Sequence, residues 1–286
     1  MATTLNATQA GTVALGDLKV NRLGYSSMRL CGNGAWGLPK NHPAALQLLQ
    51  RAVSLGVNFI DTADSYGPEV AETLIAEALY PYPAGLVIAT KGGYTRPNKK
   101  SWIPNGRPDH LRKAVEESLT RLRLSCIDLY QLQIPDLHVP FADSIGALAD
   151  LRRAGKIRHI GLSGVTVGQL EQATNIVPIV SVQKYFNVED QSHDAMLAAC
   201  ERMGIAFIPW YPLASGQLLR TPRLVKIAHE HKATTAQVAL AWLLARSPAT
   251  LLIPGTGRVA HLEENIGAAA VKISAETMQI LVPERA

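Results

Sequence analysis

The chain has 286 residues, 47% of them hydrophobic and 18% charged, a length and balance that suit two average domains or one α/β barrel with a large core. Its net charge of +5 is mild and scattered, and the densest basic cluster (Arg152, Arg153, Lys156 and Arg158, around Gly155) reads as a solvated helix end and turn, not a nucleic-acid patch. Cys31, Cys126 and Cys200 are too few and too far apart for a disulfide framework, the N-terminus lacks a signal peptide, and no apolar run reaches the ~18 residues of a membrane helix, so a cytoplasmic protein is expected.

Residues 1–11, small and polar, read as a disordered leader. Thr12 to Leu15 and Leu18 to Asn21 flank the turn pair Gly16-Asp17 and predict a β-hairpin. A first buried strand is expected over 23–27, then a loop from Cys31 to Pro39 with three glycines. Further strands over 57–61, 86–90, 127–133, 157–163, 179–183, 205–210 and 250–253 alternate with helices over 43–55, 69–79, 108–122, 141–154, 167–175, 191–203, 222–231, 234–246 and 259–268. Eight strands, each followed by a helix and with no composition break, predict a parallel (β/α)8 TIM barrel behind the hairpin, one domain over 12–286. An open doubly wound sheet would carry Gly-x-Gly-x-x-Gly after its first strand, where this chain reads Gly24-Tyr25-Ser26-Ser27-Met28-Arg29.

Sites in such a barrel lie at the C-terminal ends of the strands, here Ser27, Asp61, Lys91, Gln133, Ser163, Gln183, Trp210 and Gly255. The stretch from Val57 to Gly67 ends a short apolar strand in Asp61 and places Tyr66 in the loop behind it, and the next strand delivers Lys91. Carboxylate, phenol and ammonium on consecutive strand ends form a proton-transfer unit, the lysine charge favouring phenolate and the carboxylate holding the lysine. A structural ion pair beside a loop aromatic is the plainer alternative. No strand end supplies the His, Asp and Glu cluster that a metal hydrolase needs, so no metal is expected.

These segments together resemble the aldo-keto reductase superfamily from Leu18 to about Ala270: Asn58 to Gly67, Ala89-Thr90-Lys91, Gly155 to Ser163, and Ile253-Pro254-Gly255-Thr256 running on to Glu264-Asn265. The resemblance implies that Tyr66 is the general acid, with Lys91 beside it lowering its pKa and Asp61 anchoring Lys91. It also implies that a nicotinamide cofactor supplies the hydride. Where the family usually has a histidine at the end of strand four, this chain has Gln133, whose amide cannot titrate but can donate to a substrate oxygen.

For the cofactor, the resemblance implies Ser163 and Gln183 on the carboxamide and Trp210 stacked on the nicotinamide ring. Gly164 follows Ser163 in place of the family's usual Asn. Pro212, Leu213, Ser215 and Gln217 would form the pyrophosphate loop. Ser27, Met28, Asp61 and Gly255 would complete the inner wall, and Thr256, Arg258, His261, Glu264 and Asn265 would hold the phosphate and adenine. NADPH is expected ahead of NADH.

Asn21-Arg22-Leu23-Gly24-Tyr25, Glu77 to Tyr82, and the segment from Leu251 through Asn265 look most like the bacterial pyridoxal reductase branch, which also tends to lack the strand-four histidine. The expected activity is hydride transfer from NADPH to an aldehyde, with pyridoxal a candidate. The alternative is a cofactor-binding regulatory or sensing protein with little turnover. The expected partner is a small-molecule carbonyl compound, with no nucleic acid or membrane, as monomer or homo-oligomer. The chain stops soon after the last barrel helix, so an open pocket is expected, bordered by the loops at 28–40, 92–107 and 134–140. Trp36, Tyr94, Trp102 and His138 lie in those loops, where they line the pocket or merely pack, and His138 is the one titratable group there able to replace the histidine.

Overall fold

The computed structural model of the protein describes residues 5–281. Strands β1 (Thr12–Leu15) and β2 (Leu18–Asn21) form the expected antiparallel hairpin, with Val13 opposite Val20. The chain then runs β3 (Tyr25–Ser26), α1 (His42–Ser54), β4 (Phe59–Asp61), α2 (Val70–Leu79), β5 (Val87–Gly92), a small hairpin of β6 (Tyr94–Thr95) and β7 (Ile103–Pro104), α3 (Pro108–Leu122), β8 (Ile127–Leu132), α4 (Phe141–Arg153) and β9 (Ile157–Ser163). After it come α5 (Val167–Thr174), β10 (Ile179–Tyr185), α6 (Asp194–Met203), β11 (Ala206–Trp210), α7 (Pro222–Glu230), α8 (Thr235–Arg246), α9 (Val259–Gly267) and α10 (Ala275–Ile280). Local chemistry sets many boundaries. Thr166 with Gln169 and Thr234 with Gln237 form capping boxes that satisfy first-turn N–H groups of α5 and α8, and Pro108 opens α3, where its missing N–H costs nothing.

β3, β4, β5, β8, β9, β10 and β11 pair in parallel as one curled sheet, in that order. The eighth stave, expected as a strand over 250–253, is instead a pair of single parallel bridges, Thr250 to Phe207 on one side and Leu252 to Leu23 on the other. Backbone bonds from Leu251 N to Phe207 O (2.9 Å) and from Gly24 N to Leu252 O (2.7 Å) carry the ring across it, completing a (β/α)8 barrel of α/β class. Arg22 reinforces this seam by donating to the carbonyls of Thr250, Leu244 and Ser247.

Successive strand residues face opposite sides, and both sides are buried, as in parallel sheets covered by helices. Ile60, Ile88, Tyr130, Ile160, Val182 and Phe207 point outward into the main core under the helices. Phe59, Val87, Ala89, Leu129, Ala206, Ile208 and Leu251 fill the interior, where Leu15 and Val20 of the hairpin join them from the N-terminal end. This double burial explains why Leu132 breaks the alternation of β8 and is still fully buried. Two residues further along β4, β5 and β8 the interior turns polar, as Phe59 gives way to Asp61, Ala89 to Lys91 and Leu129 to Gln131, and in β10 Ser181 is followed by Gln183.

The expectation of a disordered leader over 1–11 needs correction. Ala7–Ala10 is a 3-10 turn capped by Asn6; Ala7 is fully buried, and its N–H donates to Leu55 O at 2.8 Å, while residues 1–4 lie outside the described residues. Helix α6 begins at Asp194, later than the expected 191. The basic cluster spends its charge locally: Arg153 pairs with Asp150, Lys156 with Glu116, and Arg158 with Asp17 of the hairpin turn.

Candidate active site

Asp61, Lys91, Gln131 and Gln183 meet in the polar layer, each at most 3% exposed. Lys91 Nζ donates to Asp61 Oδ1 (2.7 Å), Asp61 Oδ2 (2.6 Å) and the Thr62 carbonyl (2.8 Å). Asp61 Oδ1 also accepts from Gln183 Nε2 at 2.6 Å and Gln131 Nε2 at 3.3 Å. A buried ion pair persists only where further hydrogen bonds satisfy its remaining lone pairs and protons, and here Gln131 of β8, Gln183 of β10 and the Thr62 carbonyl supply them. Gln131, outside the sequence-expected set, lies two residues before Gln133 and so on the same face.

Tyr66 Oη is 3.5 Å from Lys91 Nζ, which also lies 5.1 Å from the ring centroid. The phenol sits in a small apolar cluster with Cys31, Ala63 and Ala71, flanked by Met28 and Trp102. Burial, and after it the Asp61 charge, push the Tyr66 phenol well above its ordinary value. Burial pulls Lys91 below its ordinary value against the opposing pull of Asp61. This reverses the expectation that Lys91 lowers the phenol. The lysine charge is balanced by Asp61 at contact distance, so burial decides, and Tyr66 stands as a protonated donor at neutral pH.

The loop carrying Tyr66 extends the sheet register past the end of β4, since Thr62 N donates to Ala89 O (2.8 Å) and Asp64 N to Lys91 O (3.1 Å). Gly67 turns the chain at φ +109°, and a Cβ there would meet Val70 Cβ at 2.3 Å, so no other residue fits this turn without displacing α2. A parallel bridge joins Trp36 to Gly67. Arg96 fastens the surrounding loops: its guanidinium lies 3.6 Å from the Trp102 ring centroid and 5.2 Å from that of Trp36, and donates to the carbonyls of Ser65 (2.9 Å), Lys99 (3.0 Å), Gly34 (3.3 Å) and Ala35 (3.4 Å). Trp36 and Trp102 thus pack around Arg96, with Tyr94 edge-on to Trp102. His138 is exposed and does not line the cavity that Asp61 and Tyr66 border, which removes the ground for casting it as the missing histidine.

A cavity of about 440 Å³ runs from Asp61 and Tyr66 past Gln183 and Trp210 to Glu264 and Asn265. Met28, Pro212, Leu213, Ser215, Gly255, Thr256, Arg258 and His261 also line it. Five expected cofactor and catalytic residues stand off its wall, among them Lys91, which is tied to Asp61 and the Thr62 carbonyl. Ser27 is fully buried, with its Oγ donating to Asp61 O at 3.1 Å, Ser163 is buried in β9, Gln217 is exposed, and Gln133 lies toward the mouth against Ser65. Gly164, where the family usually has Asn, is left-handed at φ +71°, and a Cβ there would come within 2.5 Å of Ile134 Cδ1, so a larger residue would need Ile134 to shift. The lining adds Ser26, Arg29, Tyr211 and Gly257, which sequence reasoning missed. Arg29 Nη2 donates to Ser215 Oγ at 3.0 Å, joining loops 186 residues apart. Tyr211, Ala214 and Ser215 are all left-handed, a conformation that costs non-glycine residues of order 1–3 kcal/mol each and concentrates at ligand clamps.

The donor set fits a nicotinamide dinucleotide. Arg29 and Arg258, with the His261 imidazole, line the outer part of the cavity, where Glu264 is the one carboxylate among the described lining residues, as suits phosphates. At the inner end Gln183 Nε2 is held by Asp61, which leaves its Oε1 as an acceptor for a carboxamide N–H. Such a cofactor would supply a hydride when bound; the Tyr66 phenol lines the inner end of the same cavity, with Lys91 beside it.

The chain belongs to the aldo/keto reductase family, whose model matches residues 29–282. It is an NAD(P)H-dependent oxidoreductase acting on carbonyl groups. The chain is 48% identical to an uncharacterized oxidoreductase of Schizosaccharomyces pombe, over 98% of this chain and 92% of that protein. It is 44% identical to the pyridoxine 4-dehydrogenase of Escherichia coli, over 95% of this chain and 97% of that one. Among solved structures, a thermostable aldo-keto reductase crystallised with the inhibitor epalrestat superposes with a TM-score of 0.84 at 32% identity, covering 94% of this chain and 98% of that one. The glycerol dehydrogenase of Gluconobacter oxydans shares the fold at a TM-score of 0.86 and 22% identity, covering 95% and 94%.

Proposed function

We propose that the protein is an NADPH-dependent reductase that delivers a hydride to an aldehyde, with pyridoxal, reduced to pyridoxine, as its candidate substrate. The observation that carries this reading is the junction of a buried Asp61–Lys91–Tyr66 unit with a cavity whose far end gathers Arg258 and His261. The hydride acceptor is polarised by Tyr66 Oη, whose proton passes to the carbonyl oxygen as negative charge develops there. Arg258 and His261 favour the extra 2′-phosphate of NADPH over NADH. The similarity to the Escherichia coli pyridoxine 4-dehydrogenase supports pyridoxal in particular. Free Cys31 and Cys200, both buried, agree with a reduced, cytoplasmic setting; among the described residues no helix is long and apolar enough to cross a membrane.

The test is oxidation of NADPH and NADH by purified protein with pyridoxal, a simple aromatic aldehyde and a ketone. Faster turnover of pyridoxal than of the other two, with NADPH ahead of NADH, is the expected result. Equal turnover of both aldehydes removes pyridoxal and keeps the reductase. Tight NADPH binding with no turnover of any carbonyl compound replaces the reading with that of a cofactor-binding protein.

A further inference from the structure

Gln133 occupies the place where a histidine would be expected, and its amide has two chemically opposite ends. With Nε2 toward the substrate it donates to a carbonyl oxygen; with Oε1 toward the substrate it repels one. The neighbourhood decides between them. Gln131 reaches Asp61 inside the barrel, so Gln133, two residues on, faces inward as well, one layer nearer the mouth. Its backbone N–H is tied to Gly92 O at 2.9 Å, and its Oε1 accepts from Ser65 Oγ at 2.8 Å.

Ser65 is 2% exposed and precedes Tyr66 directly, and its carbonyl is gripped by Arg96 Nη1 at 2.9 Å. Its hydroxyl hydrogen has no other acceptor among the described residues, so reversing the Gln133 amide would strand a buried O–H. Gln133 Nε2 makes no protein hydrogen bond among the described residues and is not among the buried, unpartnered polar atoms, so it keeps an open side.

We propose that Ser65 is a positioning residue: by donating to Gln133 Oε1 it turns the amide N–H groups toward the substrate carbonyl, converting a residue of ambiguous polarity into a fixed donor beside the Tyr66 phenol. The inference rests on the reductase reading above. It gives the site a second hydrogen bond to the developing oxyanion from a group that never changes charge, and the serine that sets it sits on the same loop as the acid.

The experiment compares Ser65→Ala, Ser65→Thr, Gln133→Leu and the double variant Ser65→Ala/Gln133→Leu, using pyridoxal or an aromatic aldehyde, with NADPH affinity followed separately by fluorescence titration. Ser65→Ala is expected to lower kcat about 10-fold, in the lower part of what one positioned donor contributes, with NADPH affinity unchanged and Ser65→Thr within about 2-fold of the native rate. In the Gln133→Leu background Ser65→Ala is expected to cost less than about 2-fold, because the two act as one unit. An unchanged kcat in Ser65→Ala, or losses that multiply in the double variant, overturns the proposal.

Gln133→Glu gives an independent reading if Ser65→Ala fails to fold. With Ser65 bonded to one carboxyl oxygen, the other faces the substrate, so the rate should rise as falling pH protonates it; a rate without that rise overturns the proposal. Wild-type protein that binds NADPH and reduces no carbonyl compound removes the reductase reading, and this inference with it. A native rate in Ser65→Ala removes this inference alone.

Discussion

At the Asp61 end of the cavity the polar side chains are buried and tied to one another from four strands, and Lys91 spends its three N–H bonds on protein acceptors. At the other end Arg29, Arg258 and His261 stand exposed, and the wall between includes a loop of left-handed residues fastened by one Arg29–Ser215 bond. The contrast separates two tasks. A proton donor must hold one geometry in a site of low dielectric, so its surroundings are over-determined. A phosphate grip works at the water interface by charge, so its parts stand exposed and sparsely bonded.

Tyr66→Phe should break the buried end most completely. A loss of about 10²–10⁴-fold in kcat is expected with NADPH affinity intact; stopped-flow or steady-state rates with a fluorescence titration check both halves. Lys91→Met should act on stability as well as rate, because it leaves Asp61 buried without its cation. A cost of about 3–5 kcal/mol is expected, read as a lowered midpoint in denaturant unfolding. Arg258→Ala should show the opposite profile: NADPH affinity falling about 10-fold, NADH affinity and kcat nearly unchanged, and an unfolding midpoint equal to that of the native protein.

The pH dependence sharpens the same comparison. Tyr66 is raised well above its ordinary value and Gln133 does not titrate, so kcat for reduction should stay flat from about pH 6 to about pH 9, without the step that a histidine would introduce. A fall centred in the histidine range would show that another group controls the proton.

The smallest effect is expected far from both ends, at Asp17. Hydrogen bonds from Arg158 and His159 lower its carboxyl to about 2. A depressed folded-state value stabilises the protein above the ordinary carboxylate range, and that contribution is lost as pH falls toward about 2. Asp17→Asn should therefore shift acid unfolding slightly upward in pH while leaving the neutral-pH rate unchanged.

Much of the barrel was legible because its strands and helices are local patterns: alternate burial, capping residues, and glycines past helix ends. The eighth stave was legible as an apolar run but not as mere bridges, since its pairing depends on how far the ring has curled. Asp61 and Lys91 could be found from strand ends alone, and Tyr66 from the loop that follows Asp61. Gln131 could have been found by stepping back two residues from Gln133. Arg29 and Ser215 could not, because only the folded ring brings their loops together. The direction of the Tyr66 shift was also hidden, since it follows from burial by Cys31, Ala71 and Trp102, and depth is not written in spacing.

The seam held by Arg22 also has a meaning for the order of synthesis. The guanidinium sits near the start of the chain and its three carbonyl partners lie between Leu244 and Thr250. The residues that close the ring are therefore made after those of the other seven staves, and the ring cannot close before they emerge. Arg258, His261 and Asn265 arrive in that same final stretch. Closure of the ring and completion of the cavity therefore depend on the same late stretch of chain, which follows Asp61, Tyr66 and Lys91 at a long distance in the sequence.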